Sequence, residues 1–177
     1  MILVLAFSPF ILFSILSRLS ADLALWIAFA AAFVVTIRDF IESPSLRLLD
    51  GACLALFGAL ALLRGFLAPE LPLAAVRTLV DVGLLAVIIL SLVRGRPFSL
   101  AYARERADWA PQPYLRVNRV ISWAWAGAFA LMALADGAVT FFPVPLYVAI
   151  AASVIALGLP ISFTLRYPAL AAHRLAK

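Results

Sequence analysis

Apolar runs fill most of this chain, and short polar interruptions divide them into helix-length segments with no period-two alternation. A hydrocarbon core of about 30 Å needs roughly 20 helical residues, so each run is measured against that length. The first, Met1 to Leu16, lacks a basic leading region and a small-residue cleavage site and reads as an uncleaved, barely sufficient span kinked by Pro9. Ser20 is placed to cap a second span over about Leu23 to Ile41, with Asp22 at the positive end of its dipole. A third span runs from about Leu46 to Leu63, and Gly65 and Pro69 mark the turn before a fourth, which begins at Leu71. The fifth covers about Val117 to Ala135, closed by Asp136-Gly137, and the sixth about Phe141 to Leu165, with Pro160 kinking its end.

The expected architecture is therefore all-α: one membrane-embedded bundle over 1–177 with six transmembrane helices. The alternative is five crossings plus a re-entrant first segment. Composition agrees, since 66% of residues are hydrophobic and 13% charged, against about 25% charged in soluble domains.

Charge sets the orientation. Placing both termini in the cytoplasm puts eleven basic residues inside and two, Arg18 and Arg64, outside, with Arg77 within a span. The net charge of +5 thus reflects topology rather than nucleic-acid binding. The one long polar connection, 94–116, reads as a cytoplasmic basic loop at the membrane interface. Ser99 would cap a short helix there, and Trp109, Pro111, Pro113 and Tyr114 an extended segment. Arg94, Arg96, Arg104, Arg106, Arg116 and Arg119 are its candidate contacts to anionic lipid headgroups on the cytoplasmic face.

Two acid–base pairs stand out within the apolar runs. Arg77 and Asp81 are four residues apart and share one face of the fourth span. An intramembrane charge pair is expected there, with Asp81 near mid-membrane, serving as structural glue or as a relay for protons or ions. Arg47 and Asp50 form a possible second polar site at the start of the third span, about 8 Å from Asp81 in depth. Small residues recur at helical spacing as well: Ala24, Ala28, Ala32 and Thr36 on one helix, and Gly51, Ala55 and Ala59 on the next. Such faces let helix backbones approach closely, either within the bundle or against other membrane proteins or a second copy.

Several chemistries are disfavoured. Cys53 is the only cysteine and His173 the only histidine, and the distance between them in the chain argues against a metal or haem site. Without a histidine in the bundle no acyl-transfer triad can be drawn, and no phosphate loop or dinucleotide fingerprint appears. No cofactor and no enzymatic activity are expected.

Arg96-Pro97-Phe98, then Pro111-Gln112-Pro113, Asn118, Trp125-Ala126 and Leu134-Ala135-Asp136, resemble the intracellular septation protein A family of small bacterial inner-membrane proteins. Ala75-Val76-Arg77 stands where members of that family tend to carry Trp-Lys, which keeps a related inner-membrane family open as the other reading. The resemblance implies a bacterial inner-membrane location and a role in the cell envelope or septum, with no catalytic residue to carry over. Two functions follow as expectations: a non-catalytic scaffold or accessory subunit of a larger membrane complex, or a small ion- or proton-coupled transporter or channel using Asp81.

Overall fold

The structure, a computed structural model, describes residues 5–42, 47–103, 111–142 and 144–175. Six helices carry the fold: α1 (Ser8–Leu16), α2 (Ala21–Glu42), α3 (Leu48–Leu62), α4 (Leu73–Val93), α5 (Pro111–Phe141) and α6 (Leu146–Leu175). No strand occurs among the described residues. Five of the helices are long and apolar enough to cross a membrane. The exception is α1, whose nine residues fall short of the roughly 20 required.

Local chemistry explains where these helices begin and end, and several boundaries differ from the sequence expectation. Pro9 sits in the first turn of α1, just after helical Leu5 and Ala6 and a break at Phe7, so the interruption expected of this proline falls beside it. Ser20 does cap α2, its hydroxyl accepting from the Leu23 N–H at 3.4 Å. Helix α3 runs on through a π-helical turn, Leu63–Leu67, which swings Arg64 toward Asp22 at 2.6 Å. Pro111 and Pro113 open α5 instead of extending along the interface, because a first turn tolerates proline. Helix α5 also runs past Asp136-Gly137 to Phe141, and α6 continues through Pro160 and Pro168 to Leu175.

Consecutive helices are antiparallel neighbours, with α1 on α2, α2 on α3, α4 on α5 and α5 on α6 as the main contacts, and α3 against α4 more lightly. Small residues set the close approaches. Ala24, Ala28 and Ala32 of α2 are buried within the bundle. A Cβ on Gly58 would lie 2.9 Å from the Phe29 ring, and one on Gly83 2.7 Å from Leu56. The core is aromatic: Phe7 stacks on Trp125 at 4.0 Å with the rings 8° from parallel, and Phe10 packs edge-on to Phe129 at 5.1 Å. Short α1 is thus a central element, with Phe10, Phe13 and the preceding Phe7 all buried.

This packing gives the bundle two polar ends. One holds the α1–α2, α3–α4 and α5–α6 connections with Arg18 and Arg64. The other holds Arg38, Arg47, Arg94, Arg96, Arg116 and Arg119. They are called here the arginine-poor and arginine-rich ends.

Candidate functional site

Near the arginine-poor end, four helices converge on Arg77. Helix α4 buries Val76, Arg77, Val80, Asp81 and Leu84, so the charged pair lies on its core-facing side. The salt bridge, however, is not the intrahelical one. Arg77 Nε donates to Asp136 Oδ1 of α5 at 2.9 Å, with both side chains buried. Its remaining nitrogens donate to Ser153 Oγ of α6 at 3.0 Å and to Ser17 Oγ beside α1 at 3.4 Å. The two serine hydroxyls donate in turn to the carbonyls of Ala149 at 2.9 Å and Ser14 at 3.2 Å. One guanidinium, with five donors in a rigid fork, thus joins three helices and the end of a fourth.

Asp81 lies one turn beyond Arg77, and its carboxyl is within side-chain hydrogen-bonding reach of the Asp136 carboxyl. Asp81 is 2% exposed and Asp136 1%, and the Oδ2 atoms of both are buried with no hydrogen-bond partner. The site is therefore a guanidinium facing two carboxyls. Its depth follows from its place on α4. Because α4 starts at Leu73, Asp81 lies about 12 Å along a helix of about 31 Å, at about 1.5 Å per residue. That places it within about 4 Å of the helix midpoint, on the side of the arginine-poor end. A cleft of about 230 Å³ between α1 and α6 reaches Arg77 and Ser153 past Ser14 and Arg18.

Asp136 was legible in principle. Val117, Ile121, Trp125, Phe129, Met132 and Asp136 recur at spacings of three and four and are all buried. Extending the Trp-to-Met stripe by one turn assigns Asp136 to the core, whereas the Asp-Gly pair reads locally as a helix stop.

The second polar site forms at the arginine-rich end, again with partners other than those expected. Arg47 pairs with Asp39 of α2, which also accepts from Arg38. Asp50 instead accepts from the Tyr102 hydroxyl at 2.9 Å, and its Oδ2 is buried without a partner. The Arg47 guanidinium lies 5.2 Å from the centre of the Tyr102 ring, a cation–π contact. Burial, and then the facing Asp50 carboxyl, push Tyr102 above the usual phenol range, so it remains a donor. Counting residues from the arginine-rich ends of α3 and α4, Asp50 and Asp81 differ in depth by about 15 Å rather than 8 Å.

Tyr102 reaches Asp50 because the start of the polar connection folds inward as a 3-10 helix, Phe98–Tyr102, with Phe98, Ser99 and Tyr102 buried. Gly95, at φ +70°, provides the left-handed turn that ends α4 and starts this return. Ser99 does not cap a helix. Its hydroxyl lies 3.1 Å from Asn118 Oδ1 and 3.1 Å from Ser122 Oγ of α5. Arg94, Arg96, Arg116 and Arg119 are exposed. Arg104 and Arg106 lie outside the described residues.

No group of three or more His, Cys, Asp or Glu side chains able to hold a metal occurs among the described residues. Comparisons of the chain with protein-family models, curated proteins and solved structures find no match.

Proposed function

We propose that this protein is a non-catalytic membrane scaffold or accessory subunit whose α3 face receives a transmembrane helix of another membrane protein or of a second copy. The observation that carries this is the contrast between the two small-residue faces. Ala24, Ala28 and Ala32 of α2 are consumed inside the bundle, whereas Ala55 and Ala59 of α3 are exposed and Gly51 is only half-buried. Leu48, Leu62 and Phe66 continue that outward face at both ends. Helix association in lipid depends on close backbone approach, which such a face permits.

The resemblance of the Arg96-Pro97-Phe98 and Trp125-Ala126 motifs to the intracellular septation protein A family supports a bacterial inner membrane and a role in the envelope or septum. The arginine distribution supports a cytoplasmic arginine-rich end, where exposed Arg94, Arg96, Arg116 and Arg119 meet anionic headgroups. Phe7 packs 5.9 Å from Phe98 at that end, which supports an N-terminus on the same side as Tyr167 and the C-terminal part of α6.

The test is disulfide and bifunctional cross-linking in native membranes, in a Cys53→Ala background. Ala55→Cys and Ala59→Cys are expected to give discrete adducts, while Ile155→Cys on the exposed face of α6 gives none. Equal, background-level reaction at all three positions would sink the scaffold reading.

One observation favours a second reading as a proton- or ion-coupled transporter: two buried carboxyls beside Arg77, which a cleft between α1 and α6 reaches. A proton flux into liposomes, lost in Asp81→Asn, would support it.

A further inference from the structure

The Arg77 cluster contains one more acid than it has cations. Facing it are Arg77 and Asp81 from α4, Asp136 from α5, Ser153 from α6 and Ser17 after α1, with exposed Arg18 at the mouth of the cleft. Arg77 is committed to Asp136 and the two serines, and both serine hydroxyls also donate to helix carbonyls. No donor remains for Asp81 Oδ2 or Asp136 Oδ2, yet both atoms are buried. Orphaned oxygens of that kind are rare and call for a physical cause. Two ionised carboxyls buried beside a single guanidinium would also repel each other in a low-dielectric interior.

A single proton removes both difficulties. It turns one carboxyl into an O–H donor to the other and brings the cluster to neutrality: one guanidinium, one carboxylate and one carboxylic acid. Asp136 accepts from the guanidinium at 2.9 Å, which leaves Asp81 as the acid without an ion-pair partner. From this geometry we infer that Asp81 and Asp136 form a one-proton site, exchangeable with water through the cleft between α1 and α6. The cleft is lined by Ser14, Arg18, Arg77 and Ser153 on its polar side and reaches the guanidinium that Asp136 holds. This inference is independent of the scaffold reading. It shares its residues with the transporter reading but requires no net transport.

The experiment is infrared difference spectroscopy of the full-length chain in liposomes at neutral pH, following the carbonyl stretch of protonated carboxyls on exchange from H2O to D2O. The parent is expected to show a carboxylic-acid band that shifts in D2O. Asp81→Asn should lose that band and Asp81→Glu should displace it, while Asp50→Asn leaves the Asp81 component unchanged. Val154→Trp, at the exposed wall of the cleft, should slow the isotope shift severalfold without altering the band. Identical spectra for the parent, Asp81→Asn and Asp81→Glu, all with native helix content, would overturn the proton site. An unchanged exchange rate in Val154→Trp would overturn the route. Loss of the parent's band in sodium chloride but not in choline chloride would make the site a sodium site and overturn the proton assignment. A normal band without any liposome flux supports the proton site and removes the transporter reading.

Discussion

Replacing either acid of the Arg77 cluster separates the intrahelical pairing from the interhelical one. In the first, Asp81→Asn strands Arg77; in the second, Asp136→Asn does. Arg77 Nε and Asp136 Oδ1 are 2.9 Å apart, with side chains 6% and 1% exposed, so little water compensates for loss of the carboxylate. Unit charges about 4 Å apart attract by about 4 kcal/mol at an effective dielectric of about 20. Removing one partner of a buried pair commonly costs about 3–5 kcal/mol, consistent with that figure. Asp136→Asn should fall at the lower end, about 3 kcal/mol, because Asp81 on the next turn can ionise and supply part of the missing charge. The double variant Asp81→Asn/Asp136→Asn removes that reserve and should reach about 5 kcal/mol. Asp81→Asn alone exchanges one neutral donor for another beside Asp136 and should cost less than about 1 kcal/mol. Arg77→Gln in the Asp136→Asn background should recover part of the loss by removing the stranded charge. Unfolding of purified protein in mixed detergent micelles gives each free energy. A loss for Asp81→Asn equal to or greater than that for Asp136→Asn would refute the interhelical pairing.

Two further substitutions test the arginine-rich end. Tyr102→Phe keeps the ring beneath Arg47 but removes the donor to Asp50, leaving a buried carboxyl without it; a loss of about 1–3 kcal/mol in the same unfolding assay is expected, partly recovered by Asp50→Asn. Gly95→Ala meets no atom within 4 Å but holds an L-residue at φ +70°, so about 1–2 kcal/mol should be lost from the turn alone, whereas Gly65→Ala, in open space with no such strain, should be neutral by the same measure.

Much of the fold was legible because hydrophobic runs report helices directly, and each of the five long helices overlaps one of the runs read as spans. Boundaries were less so, for a common reason. Pro111 and Pro113 suggest an extended segment, but proline at a first turn begins a helix. Asp136-Gly137 was read as a stop, although a buried aspartate is tolerated within a span when an arginine from another helix meets it. Partner choice was the least legible feature. Arg77 and Asp81, like Arg47 and Asp50, lie close in sequence, and short spacing suggests local pairing. Each guanidinium instead pairs with an acid on another helix: Arg77 with Asp136, Arg47 with Asp39. An arginine side chain is long enough to cross to a neighbouring helix, and such a bond ties helices together where a local pair would not.

The two polar clusters are separated by a wall of aromatic side chains, and α1 helps to build it. Phe7 and Phe10 of the first segment pack on Trp125 and Phe129, and Phe13 packs against Phe57 at 5.6 Å. Trp125 is pinned in turn, its indole N–H donating to Thr164 Oγ1 of α6 at 3.0 Å. Phe7, Phe13, Phe57, Trp125 and Phe129 are all fully buried. A proton on the Asp81–Asp136 pair thus has a cleft toward the arginine-poor end and packed rings toward Asp50 and Tyr102. Passage between the clusters would require α1 to shift, and Ser17, at the end of α1, hydrogen-bonds to Arg77 itself. The segment that closes the interior is therefore fastened to the charged cluster it closes off. Packed in this way, the aromatic core sets the Asp81–Asp136 pair apart from the Asp50–Tyr102 pair.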